Sequence, residues 1–193
     1  MGFVEGIFLA PAAGARMEGV RAVAALEGCG LEDDRYCAGT GHWSRFGRVC
    51  EVTFIAAEDL DDIERETGVG VKDGEHRRNV VTRGTSLKTL RRGERFRVGD
   101  VIFEYRGPRS VCRYIERLTE PGMTQALKGR GGVCARVIEG GTVRVGDGIE
   151  VLQPREERAE MRDEFGLERA FYVRRKAVRS ASNVLRQSGH LSR

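Results

Sequence analysis

Cys112 stands in the segment Ser110-Val111-Cys112-Arg113-Tyr114-Ile115-Glu116-Arg117-Leu118, in which Val111, Ile115 and Leu118 fall on one helical stripe before Pro121-Gly122 ends the element. With Ser110 as N-cap, the thiol is expected in the first helical turn, where unpaired backbone N–H groups and the macrodipole favour an anion. Arg106, Arg109 and Arg113 flank it in sequence. Both effects draw a thiol toward thiolate, the form that attacks electrophiles and binds soft metals. Burial as an inert structural thiol is the other common fate of a free cysteine.

Two further segments have the chemistry of anion binding. Lys128-Gly129-Arg130-Gly131-Gly132 leads into the apolar run from Val133, and glycines there would let backbone N–H groups approach an oxyanion beside two cations. A plain glycine-rich turn is the simpler use, and the Walker A spacing is absent. Arg77-Arg78-Asn79-Val80-Val81-Thr82-Arg83, followed by Lys88, Arg91, Arg92, Arg95 and Arg97, concentrates guanidinium groups suited to bidentate phosphate contacts. Strand alternation would turn some of them to solvent. Cys29, Cys37, His42 and Cys50 are four potential zinc ligands, but without a C-x-x-C pair they match structural zinc motifs poorly. Only three histidines exist, and none stands in a motif with a nucleophile.

The elements that must position these residues are mostly short strands. Between Phe3 and Leu152, β-branched or alternating runs recur between Gly, Pro, Asn and Asp turns, at Val4–Leu9, Val20–Ala25, Val49–Ala56, Asn79–Thr82, Arg95–Val98, Val101–Tyr105, Val133–Ile138, Val143–Val145 and Ile149–Leu152. Such spacing predicts a mainly β fold, a closed or nearly closed barrel with short helices. Strand, Gly-Asp turn, strand occurs twice, around Gly99-Asp100 and Gly146-Asp147, as a hairpin-type signal. Helical spacing occurs at Glu58–Thr67, with acidic residues in its first turns and Gly68 as a stop, in a single turn at Ser86–Arg91, and at Ser110–Leu118.

Composition bounds the setting. The chain has 193 residues, 40% of them hydrophobic, enough for one sizeable core. Residues 1–153 hold 23 basic and 23 acidic side chains and residues 154–193 hold 10 and 6, so the net +4 lies in the tail. The expected organisation is a barrel domain over 1–153 and a basic helical tail over 154–193, with Leu167, Phe171, Val178 and Leu185 on an apolar stripe. No signal-type leader or membrane-length apolar run is evident. Five cysteines at irregular spacing argue against a secreted disulfide framework and for reduced thiols in a cytoplasm.

Taken in order, Gly30-Leu31-Glu32-Asp33-Asp34-Arg35, Arg78-Asn79-Val80-Val81, Leu90 to Val98 with Gly99-Asp100, Cys112, Gly129-Arg130-Gly131-Gly132 to Val137, Gly140-Gly141 and Val145-Gly146-Asp147 resemble the MOSC domain, the C-terminal domain of molybdenum cofactor sulfurases. The resemblance spans about Phe3 to Leu152. It implies a MOSC-type β-barrel whose cysteine carries sulfur as a persulfide, or ligates molybdenum, in an anion pocket for molybdopterin. By position, Cys112 would be the sulfur carrier or the molybdenum ligand. Arg78, Asn79 and Arg130, with Gly131 and Arg109, would contact the cofactor, and Asp34 and Arg35 would line or brace the pocket. Two departures from the family pattern stand out: Val111 occupies the place of a common Pro before the cysteine, and Asp33 the place of a Gly before the Asp-Arg pair.

The leading expectation is a sulfur-carrier or sulfurtransferase domain loaded by a pyridoxal-phosphate-dependent cysteine desulfurase, or acting on a molybdoenzyme. Pyridoxal phosphate would enter only through that partner, since none of the four lysines has a Schiff-base context. The enzymatic alternative is a molybdenum-dependent oxidoreductase with Cys112 as metal ligand. The non-catalytic alternative is a binding module using the basic tail. That tail better suits packing, including a homo-oligomer through its helix, than nucleic acid, because its aromatics Phe171 and Tyr172 sit on or beside the apolar stripe.

Overall fold

The computed structural model describes residues 2–42, 44 and 50–152. It contains eleven strands, β1 (Gly2–Leu9), β2 (Glu18–Val20), β3 (Ala22–Leu26), β4 (Gly30–Leu31), β5 (Val52–Ala56), β6 (Val80–Arg83), β7 (Arg95–Val98), β8 (Val101–Pro108), β9 (Val133–Glu139), β10 (Gly141–Arg144) and β11 (Gly148–Val151). Helices α1 (Ala57–Thr67), α2 (Tyr114–Leu118) and α3 (Met123–Ala126) lie between them, with a single 3-10 turn at Leu87–Thr89. Seven strands close a barrel in the order β1-β6-β5-β9-β8-β7-β11 and back to β1, with β2 added beside β1. β10, β3 and β4 form a separate three-stranded sheet.

Alternation along the strands builds two cores. Val52 and Phe54 of β5, Val80 of β6, Phe96 of β7, Phe103 of β8 and Val133, Ala135 and Val137 of β9 point into the barrel. Phe54, Phe96 and Phe103 pack there with ring centroids 5.1–5.5 Å apart. The opposite faces of β5 and β6, through Ile55 and Val81, pack on Leu60 and Ile63 of α1 and on Ile115, Met123 and Leu127. With both faces covered, β5 is buried along nearly its whole length and apolar but for Thr53. β5 and β6 are parallel and α1 is their crossover. Gly68, at φ 70°, ends that helix and returns its N–H to the Glu64 carbonyl.

Three sequence expectations are corrected here. The segment Val20–Ala25 is not one strand: it breaks at Arg21, sending β2 to the barrel and β3 to the small sheet. Gly99-Asp100 does turn a hairpin between β7 and β8. Gly146-Asp147 instead carries the chain from β10, which pairs with β3, to β11, which pairs with β1 and β7. Nor are all five thiols free, because the loop from Cys29 to Cys37 returns with its Cα atoms 4.6 Å apart and the two sulfurs bonded. Cys50, Cys112 and Cys134 are free. The tail expected over 154–193 lies outside the described residues. No helix among those described is long and apolar enough to cross a membrane.

Candidate functional site

The site is assembled from three stretches distant in sequence: the loop after β4, the approach to β6, and the passage from β8 to α2. Each is held by buried hydrogen bonds. Asp34, fully buried, accepts from the Ala10 N–H at 3.2 Å, the Asn79 amide at 3.0 Å, the Tyr36 N–H at 3.0 Å and the Arg35 guanidinium at 2.9 Å. Asn79 also accepts from the Thr53 hydroxyl at 2.7 Å and donates to the Phe8 carbonyl at 3.2 Å. Asp34 and Asn79 therefore fix the loop to the barrel rather than line the cleft, where the resemblance gives Asp34 a lining or bracing place and Asn79 a contact with the cofactor. Asp33 has φ 59°, a left-handed conformation that glycine adopts freely and Asp tolerates.

Arg78 is buried and aimed by three bonds: its backbone N–H to His76 Nδ1 at 2.9 Å, Nη1 to the His76 carbonyl at 2.8 Å and Nε to the Gly131 carbonyl at 2.6 Å. Arg77 also has a left-handed backbone, at φ 59°, an uncommon conformation for a residue other than glycine. Its guanidinium reaches the Ala15 carbonyl, and its own carbonyl receives Arg35 Nη2 at 3.2 Å. Arg109 hydrogen-bonds the Tyr36 hydroxyl at 3.0 Å, and its Nε is buried without an acceptor.

These side chains meet around one cleft of about 50 Å³, lined by Arg35, Arg77, Arg78, Arg109, Tyr36 and Cys112, with His42 stacked on Tyr114 at its edge, ring centroids 3.9 Å apart. Arg35 has Asp34 as counter-charge. Arg77, Arg78 and Arg109 have no carboxylate partner among the described residues. Burial, then the charge of Arg109, lowers Arg78 to about 10. Burial and the guanidiniums of Arg78, Arg35 and Arg77 lower His76 to about 3, so it stays neutral. Burial and Arg35 likewise lower Arg77. In all three burial leads and neighbouring guanidiniums add to it, and a bound oxyanion would offset that crowding of positive charge.

Cys112 lines this cleft but not as the sequence suggests. Helix α2 begins at Tyr114, and Ser110 does not cap it. The Arg109 N–H instead bonds the Gly132 carbonyl at 2.8 Å, tying this stretch to the glycine loop, and the first helical-type bond runs from the Ile115 N–H to the Cys112 carbonyl. The thiol thus owes its surroundings to arginines rather than to a helix end.

Across the wall formed by Arg109, Ser110 and Val111 lies a broader hollow of about 660 Å³, lined also by Lys88, Lys128, Gly129, Gly131 and Gly132. Gly131 and Gly132 are there for close packing. A Cβ on Gly131 would stand 2.4 Å from the Arg109 carbonyl oxygen, and one on Gly132, at φ 79°, 2.0 Å from that of Phe54. Arg130 is drawn away to Glu66 of α1 at 2.6 Å and lines neither space. Arg106 pairs with Glu104 at 3.0 Å and is likewise outside the cleft. The zinc grouping also disperses: Cys29 and Cys37 are bonded to each other, and no cluster of three or more His, Cys, Asp or Glu suited to a metal occurs among the described residues.

Sequence reasoning did not anticipate Tyr36 and Tyr114 as lining residues. Single aromatics without a repeat give no sequence signal.

Comparison with known proteins follows the geometry. Residues 41–150 match the model of the MOSC domain. No curated protein matches. Among solved structures, the YuaD protein from Bacillus subtilis superposes with a TM-score of 0.66 at 17% identity, over 79% of this chain and 98% of that one. YiiM from Geobacillus stearothermophilus gives 0.62 at 14% identity, over 79% and 76%. YiiM from Escherichia coli gives 0.57 at 18% identity, over 80% and 71%. At such identities the likeness shows the fold.

Proposed function

The chain belongs to the MOSC domain family, and from that premise we propose that it is a sulfur-carrier domain in which Cys112 holds sulfur as a persulfide beside an oxyanion pocket for molybdenum cofactor. The observation that carries this reading is the convergence of Arg77, Arg78 and Arg109, none with a carboxylate partner among the described residues, on the cleft that Cys112 lines. Guanidinium groups in such number suit a phosphate, and a thiol among them would keep any bound or transferred sulfur anion in a cationic field.

The residues present fit the cofactor. The buried, acceptor-less Arg109 Nε and the cations around it call for an oxyanion, and the narrow cleft matches the phosphate end of molybdopterin. The neighbouring hollow, about 660 Å³, is in the range that encloses small organic ligands and matches a pterin body. Arg35, Arg77, Arg78 and Arg109 would hold the phosphate, and Cys112 would present a soft sulfur donor. When bound, the cofactor supplies a molybdenum centre able to take a sulfur ligand. Loading needs only thiol chemistry. The Cys112 thiolate attacks the outer sulfur of a desulfurase persulfide, the new S–S bond forms on Cys112, and the desulfurase leaves as its thiolate, with no net change in oxidation state. A cytoplasmic setting goes with this reading.

Incubation with a cysteine desulfurase and cysteine tests the proposal by intact mass and peptide mapping. One added sulfur on the tryptic peptide 110–113, lost in Cys112→Ala, is the expected result. An unmodified protein, or an adduct that survives Cys112→Ala, overturns it.

A further inference from the structure

The loop around β4 carries two residues of the cleft, Arg35 and Tyr36, and a disulfide that sulfur carriage by Cys112 does not use. Cys29 and Cys37 are eight residues apart in sequence, with Cα atoms 4.6 Å apart and their sulfurs bonded. Both are half-buried, and Gly28, Asp33, Ala38 and Gly39 beside them are exposed, so a reductant can reach the pair. The entropic gain from a disulfide is smaller for shorter loops. The first half of this loop is already fixed without it, since Gly30 and Leu31 pair with β3 and Asp34 accepts hydrogen bonds from Ala10, Arg35, Tyr36 and Asn79.

The disulfide holds the stretch that follows Arg35. Arg35 itself is buried, with its N–H bonded to the Ala10 carbonyl at 2.7 Å and its guanidinium paired with Asp34. Tyr36 is half-buried and joins two parts of the cleft: its hydroxyl accepts from Arg109 Nη2 at 3.0 Å, and the Arg35 guanidinium lies over its ring, 4.6 Å from the centroid. Cys37 comes next, bonded to Cys29, which immediately precedes β4. Past it the Ala38 N–H bonds the Asp34 carbonyl at 2.9 Å and the Gly39 N–H the Tyr36 carbonyl at 3.3 Å, both within the loop, before the Thr40 hydroxyl reaches the Pro11 carbonyl at 2.8 Å. The Cys29–Cys37 bond is thus the covalent tie between Tyr36 and the small sheet. Tyr36 in turn anchors Arg109, whose Nε is buried without an acceptor.

We propose that Cys29–Cys37 is a redox modification site, opened by a dithiol reductant, whose state sets the affinity of the arginine cleft for an oxyanion through Tyr36. One thiolate of the dithiol attacks one sulfur of the pair, forming a mixed disulfide, and the other cysteine leaves as a thiolate that takes up a proton. The second thiol of the reductant then attacks its own partner sulfur in the mixed disulfide and releases the remaining cysteine. The dithiol is oxidised to a disulfide and the protein gains two hydrogens. Closed, the bond keeps Tyr36 against Arg35 and Arg109, and both guanidiniums line the cleft. Opened, it releases Tyr36, Arg109 loses its hydroxyl partner, and the cleft binds an oxyanion more weakly. A disulfide in a reducing compartment more often serves redox sensing or catalysis than structure. This regulation rests on the oxyanion pocket proposed above and adds its dependence on a second pair of sulfurs.

Isothermal titration of the full-length protein with inorganic phosphate, before and after treatment with uncharged dithiothreitol, tests this, with alkylation and mapping of tryptic peptides 22–35 and 36–45 to read the redox state. The two peptides should be joined before treatment and separately alkylated after it, and reduction should weaken phosphate binding about fivefold. Tyr36→Phe, which keeps the ring under Arg35 and removes the hydroxyl, should bind phosphate about fivefold more weakly in the oxidised protein and lose nothing more on reduction. Peptides that are unjoined in air or stay joined in dithiothreitol, equal affinity in the two redox states, or a Tyr36→Phe protein that weakens further on reduction each overturn the proposal. Oxidised protein that binds no phosphate overturns the pocket itself. A Cys112 that takes no sulfur, in protein whose phosphate affinity follows Cys29–Cys37, overturns sulfur carriage alone, so the two readings fall separately.

Discussion

The imidazole of His76 is fully buried, and burial and the charges of Arg78, Arg35 and Arg77 hold it neutral down to about pH 3. In the unfolded chain it takes a proton near pH 6.5. Its folded pKa is depressed, so the stability it allows is present above pH 6.5 and is lost as pH falls toward 3, at about 1.4 kcal/mol for each pH unit. Urea unfolding between pH 7 and pH 4 should show that slope, and His76→Gln, which keeps an acceptor for the Arg78 N–H, should flatten it. Cys112, Arg78 and Arg109, singled out in the sequence, line one cleft. Arg130 was not legible because its position is decided by Glu66, a partner 64 residues away on α1. Asn79 was read as a cofactor contact, but its amide is consumed by Asp34, Thr53 and Phe8.

At the scale of elements, most strands and α1 were legible because alternation, turn residues and the Gly68 stop agree with one another. The start of α2 was not. Ser110 satisfies the local rule for a cap, yet a non-local bond from the Arg109 N–H ties that stretch to Gly132 and the helix starts only at Tyr114. The glycine loop that supplies this bond has two kinds of glycine. Gly132 combines φ 79° with a Cβ position 2.0 Å from the Phe54 carbonyl oxygen, whereas Gly129, at φ 75°, has open space around it. Gly132→Ala should therefore cost about 3–5 kcal/mol, since backbone on backbone cannot yield, and Gly129→Ala about 1–2 kcal/mol from its left-handed conformation alone. Urea denaturation of both variants measures the difference, and equal losses would contradict this packing role.

Over the whole described molecule, closure of the barrel rests on its last strand. β11 pairs with both β1 and β7, and Ile149 enters the core through that seam. A chain ended at Asp147 should lose cooperative thermal unfolding by circular dichroism, because two barrel edges would be left unpaired. Closure also unites the site, which draws Arg35, Arg77, Arg78, Arg109 and Cys112 from stretches far apart in sequence. This is why the separate anion-binding signals could be read but not their assembly, nor the exclusion of Arg130 from it. The central claim, that these arginines and Cys112 make one oxyanion site, is open to direct measurement. The rate at which iodoacetamide modifies Cys112, read on peptide 110–113, should fall several-fold as inorganic phosphate is raised at constant ionic strength, and Arg77→Ala should abolish that protection. A rate indifferent to phosphate in the unmutated protein would contradict the account.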